Sequence, residues 1–233
     1  MKRHLQSFVL TAWAAFLIWL IATDEVLRYI GPKTMWVIWF GAIALSATAI
    51  AHFFIGRSQN APGTPASARE AAGILILLVP ILAVVVIPKP SLGAMGASRK
   101  LAGGISAAGG FVPVPDGGEV GFQEISFAST SAEYAATLGV AEGMEVELTG
   151  FVTHPDDAPA SGFALTRFSI FCCAADATPY AVLVDPSAVS GGSEFTEDTW
   201  LRVRGALAKS GTRFVLVADE IETVAEPKDP YVY

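Results

Sequence analysis

The chain has 233 residues, 52% of them hydrophobic and only 16% charged, with a net charge of -7. A soluble domain carries roughly 25% charge, so part of this chain is built for a solvent other than water. Acidic residues gather from Asp116 onward; the missing basic footprint excludes a nucleic-acid partner, and two cysteines are too few for a disulfide-rich scaffold.

Taken in chain order, three apolar runs come first: Leu5 to Ala22, Met35 to Ile55 and Ala71 to Ile87. A helix needs roughly 17–25 apolar residues to cross hydrocarbon with every backbone group paired internally. The expectation is a three-helix transmembrane region over residues 1–87, with the lipid bilayer as its solvent. The first run follows Lys2 and Arg3 but ends in "ATDEVLRY", without a small-x-small cleavage site, so it reads as a span rather than a removed signal. Pro80 predicts a kink in the third run. Run two is rich in small residues from Gly41 to Ala51, a face that lets another helix approach, within the chain or from a partner. Trp36 stands where an indole sits at headgroup level, and His52 is read as reaching the interface near its helix end. Arg57 and Arg69 in the second loop, with Lys2 and Arg3, lean toward a cytoplasmic N-terminus; after three spans the C-terminal domain is then extracytoplasmic. Lys89, Arg99 and Lys100 pull the other way.

Residues 88–118 are dominated by Gly, Ala, Ser and Pro and read as a flexible linker. Residues 119–233 read as a soluble β domain. Ser131 caps a short helix over "SAEYAATLGV". Five alternating or apolar stretches follow, "MEVELTGFVTH", "FALTRFSIF", "YAVLVD", "WLRVRGALAK" and "RFVLVADEIETV". Gly150 and Gly205, late in their strands, mark bends that let a sheet close. The expected fold is therefore all-β, a small OB-like five-stranded barrel. Arg167 and either Arg202 or Arg204 are expected to pair with carboxylates across the sheet, and Tyr231 and Tyr233 to pack back on the domain or on a partner.

Cys172 and Cys173 are adjacent, followed by Asp176 and Pro179. Successive Cα atoms lie about 3.8 Å apart, short of the roughly 4.4–6.8 Å that a disulfide prefers. In a straight strand the two side chains face opposite ways, so both serve one site only if the chain leaves the strand. Three readings stand: one thiol packed in the core with Asp176 capping the turn; a soft-metal site of Cys172, Cys173, Asp176 and His154 for Zn or Cu(I); or a vicinal-disulfide switch. Asp156 and Asp157 read as a solvated turn rather than a cation site. Neither a GxSxG elbow nor a GxxxxGK[ST] loop is present, and no catalytic residue is assigned.

The stretches "LTGFVTHP", "FALTRFSIFCCAADATPYAVLV", "WLRVRGAL" and "PKDPYVY" resemble the YcgQ-like family of DUF1980 proteins, with "RF-x-I-x-CCAADA-x-P" as the specific core. The resemblance extends over the hydrophobic first half. It implies a multi-pass protein of the bacterial inner membrane with a C-terminal β domain, acting as accessory subunit of a multi-spanning permease. It implies no substrate and no catalytic activity. A membrane-anchored metal or thiol-redox module without a permease is the alternative.

Overall fold

The computed structural model describes residues 2–58, 67–86, 92–102, 120–155, 162–189 and 195–233. Two compact units emerge, Met1–Pro90 and Ser91–Tyr233.

The first unit is helical: α1 (Lys2–Ala22), α2 (Met35–Ser58), α3 (Ala68–Ile76) and α4 (Val79–Val86). Two stretches, Leu5–Ala22 and Pro32–Phe54, are long and apolar enough to cross a membrane. Their outward side chains, among them Phe8, Ile18, Trp36, Phe40, Ile43 and Phe54, are exposed. A helix apolar all round needs either a protein core or lipid around it. The small-residue face of α2 is used within the chain, because α1 packs on it. Ala42 is buried, and a side chain at Gly41 would meet Leu17. His52 turns toward α1, its Nδ1 lying 3.0 Å from Ser7 Oγ, where the sequence had placed it simply reaching the interface.

The third expected span is not one straight helix. It divides into α3 and α4, bent by 42° about Leu77 and Leu78. Pro80 has no N–H to donate, and its ring crowds the carbonyl one turn earlier. At this break the indole N–H of Trp13 donates to the Leu77 carbonyl at 3.0 Å. α3 also starts ahead of the apolar run, because Ser67 and Glu70 cap each other's backbone N–H groups.

The second unit contains β1 (Glu145–Thr153), β2 (Phe163–Ser169), β3 (Thr178–Asp185), β4 (Trp200–Ser210), β5 (Arg213–Thr223) and the short β6 (Tyr231–Val232). The first five close on themselves in the order β1-β2-β3-β5-β4-β1. All neighbours are antiparallel except β3 and β5, which run parallel. This is a closed five-stranded mixed barrel. Inward residues such as Leu148, Val152, Leu165, Val182, Val203 and Leu216 fill it.

Closure depends on the two glycines. A side chain at Gly150 would stand 2.8 Å from the Thr166 carbonyl oxygen and 2.9 Å from the Phe122 ring, and one at Gly205 would collide with the Val217 carbonyl. The register slips between Arg204 and Gly205, which leaves Asp219 as the extra residue of a bulge in β5.

The domain is not all-β. Helix α7 (Ala132–Leu138) stands where Ser131 predicts it, with the Ser131 hydroxyl accepting from Tyr134 N–H. Helix α6 (Phe122–Ala128) was not anticipated; it buries Phe122, Ile125 and Phe127 in the barrel core. Helix α5 (Ala94–Ala102) interrupts the stretch expected to be a flexible linker. Its Ala94 and Ala97 are fully buried in a second core with Phe151, Phe168, Ile170, Ala177, Trp200 and Tyr231. Phe151 alternates with Gly150 and Val152, so this core lies on the outer face of the barrel. Positions 88–91 and 103–118 of that expected linker lie outside the described residues, as do Asp156 and Asp157.

Candidate functional site

β2 and β3 are joined by residues 170–177, anchored at both ends by the buried Ile170 and Ala177. Between them the chain leaves the strand and forms a 3-10 turn over Ala174–Asp176. Asp176 causes this geometry. Its carboxylate accepts three successive backbone N–H groups, from Phe171 at 2.9 Å, Cys172 at 2.8 Å and Cys173 at 3.2 Å. Successive amides of a strand point to opposite sides, so their convergence on one carboxylate requires a curled backbone. The curl brings the side chains together: the Cys172 and Cys173 sulfurs and an Asp176 oxygen all lie within 4.8 Å of one another.

The electrostatics follow from these contacts. Burial pushes the Asp176 carboxyl up, but the three amides and the Cys172 thiol together hold it below its ordinary value. The Cys172 thiol donates to Asp176 and interacts with Cys173, which raises it to about 11. The turn therefore holds Cys172 as a thiol and Asp176 as a carboxylate at neutral pH. Lys100 of α5 reaches over and donates to the Ala177 carbonyl, fastening the helix to the exit of the turn. At the entrance Phe171 is 72% exposed, an unusual setting for a large aromatic on a well-packed domain.

Of the residues proposed from sequence, the structure gathers Cys172, Cys173 and Asp176. It does not gather His154. That histidine follows Thr153, which pairs with Ala164 at the start of β2, while the cysteines follow the end of β2. The intervening strand is roughly 15 Å long or more at about 3.3 Å per residue. A hairpin aligns the two ends of its strands, and His154 sits at the wrong end. The core-packing reading also fails in its first half: Cys172 is exposed, Cys173 half-buried, and neither joins a core cluster, although Asp176 does organise the turn.

Arg202 and Arg204 pair across the sheet as expected, Arg202 with Glu222 at 2.9 Å and Arg204 with Glu147 at 3.1 Å. Arg167 does something else. It donates to the main-chain carbonyls of Asp229, Pro230 and Thr149 and lies beside the Trp200 ring. It thereby holds the C-terminal segment, where Tyr231 of β6 pairs with Phe168 and is buried. Tyr233 stays half exposed and donates its hydroxyl to Asp229. Sequence reasoning missed the roles of Lys100 and Phe171; no local pattern signals a contact made across 77 positions.

Residues 118–233 match the family model of the DUF1980 C-terminal domain. The C-terminal half belongs to the DUF1980 family. Among curated proteins, none matches the chain. The DUF1980 match begins just before α6 and runs to the last residue, so it takes in the barrel, the β2–β3 turn and the C-terminal strand, and leaves α5 outside.

Proposed function

We propose that this chain is a multi-pass membrane protein and the accessory subunit of a multi-spanning permease, with an extracytoplasmic OB-type barrel that offers its β2–β3 turn to the partner or its cargo. The observation that carries the reading is the pairing of lipid-suited helices with a DUF1980 barrel. The strand order 1-2-3-5-4-1 with β3 parallel to β5 supports the OB-type reading of the barrel. In this reading the bent α3–α4 pair counts as a third crossing, and the bias of Lys2, Arg3, Arg57 and Arg69 toward the cytoplasm then supports an extracytoplasmic C-terminal domain. The exposed Phe171 beside the cysteines supports a docking role for the turn, since aromatic anchors dominate protein interfaces.

The test is purification of the tagged full-length chain from its own membranes in mild detergent. An equimolar multi-spanning membrane protein, identified by mass spectrometry and reduced several-fold by Phe171→Ala, is the expected result. A chain that migrates alone after mild cross-linking contradicts it.

A second reading is a membrane-anchored metal or thiol-redox module that works without a permease. It is favoured by the convergence of three donor groups from one turn, which needs no partner.

A further inference from the structure

We propose that the β2–β3 turn binds one thiophilic d10 cation, Zn(II) or Cu(I), through Cys172 Sγ, Cys173 Sγ and one Asp176 oxygen. This goes beyond the accessory-subunit reading and holds whether or not a permease is bound.

The donor atoms stand within 4.8 Å of one another. Around a tetrahedral zinc with Zn–S of about 2.3 Å, neighbouring sulfurs are about 3.8 Å apart. The gap is at most about 1 Å, within reach of side-chain rotation in an exposed turn. Hard cations are disfavoured: they take six or more oxygens, and Asp176 is the one carboxylate of this cluster. Sharing a metal is also easier than forming a bond between the sulfurs, because adjacent Cα atoms are closer than a relaxed disulfide allows.

The carboxylate has room for the ion. Its two oxygens offer about four lone-pair sites. Three are spent on the N–H groups of Phe171, Cys172 and Cys173, and the Cys172 thiol donates to the remaining capacity. When the cation binds, both S–H bonds break, two protons leave to solvent and two metal–sulfur bonds form. The Asp176 site that the thiol occupied is then released to the metal. The amides keep their acceptor throughout, so the turn does not reorganise. Three protein donors leave one position of a four-coordinate ion open, the pattern of sites that exchange a ligand rather than of closed structural sites. His154, beyond the far end of β2, is not the fourth ligand.

The experiment uses the reduced full-length chain in detergent, loaded with Zn(II) or, separately, with Cu(I) in competition with bicinchoninate, and then desalted. We expect one ion per chain by plasma mass spectrometry, falling at least tenfold in the Cys172→Ser/Cys173→Ser double variant and unchanged in His154→Ala. A second readout needs no variant: the bound ion slows N-ethylmaleimide labelling of both cysteines at least tenfold. Uptake of Zn(II) alone or Cu(I) alone identifies which d10 ion the site takes. Failure of both to bind stoichiometrically, or metal content retained in the double variant, overturns the proposal, as does labelling that the ion does not slow.

Discussion

Asp176 organises the candidate site, and its effects are separable. Removing the carboxylate in Asp176→Ala leaves three amides to water; loss of a comparable exposed cap costs about 1 kcal/mol. The native carboxyl titrates below its ordinary range, so this stabilisation is complete at neutral pH and disappears as pH falls through the depressed value. The difference in unfolding free energy between wild type and Asp176→Asn should therefore shrink toward zero on acidification; a difference that grows would contradict the assignment. In the metal-free protein, alkylation of Cys172 should climb with pH toward a midpoint of about 11, and Asp176→Asn should move that climb downward. A wild-type midpoint at the ordinary thiol value would show that the thiol–carboxylate contact is absent. Part of this was legible in "CCAADATP": the acidic residue three positions past the cysteines is the right distance to cap them. The exclusion of His154 was legible too but overlooked: a residue that closes β1 and precedes β2 lies at the opposite end of β2 from residues that follow it.

At the scale of elements, the five strands were readable because each alternates or runs apolar over most of its length, as Met144, Val146 and Leu148 do against Glu145 and Glu147. The helices were less so. α6 is seven residues long and nearly all buried, so it shows no polar face from which a helical period can be recognised. Its start depends on Glu124 accepting the Gly121 N–H at 2.9 Å rather than on a Ser or Asp cap. α5 hides in a Gly/Ala-rich sequence, where small residues signal flexibility unless something packs on them; here Ala94 and Ala97 fit closely against the outer face of the barrel. Ile125→Ala should cost about 2–5 kcal/mol, read as a lower unfolding midpoint of the barrel in denaturant. Gly205→Ala should cost about 1–3 kcal/mol, because its methyl group meets backbone rather than a movable side chain. If Gly205→Ala unfolds at the wild-type midpoint, the close β4–β5 approach is not what closes the barrel.

For the whole molecule, the division between two solvents explains the composition. Apolar side chains of α1 to α4 face outward, whereas the barrel places its apolar residues inward and its Glu and Arg residues outward. Exposed pairs such as Arg202 with Glu222 add at most about 1 kcal/mol each in water; their contribution is solubility and strand register. The alternation of the strands and the length of the first two apolar runs made this division visible in the sequence. The break at Leu77 was only half visible, since Pro80 predicts a kink without its angle. The most direct measurement is alkaline carbonate extraction of membranes carrying the full-length chain. The account predicts that the chain stays in the membrane pellet and leaves it only with detergent. Release into the carbonate supernatant as a compact, detergent-free monomer would contradict it.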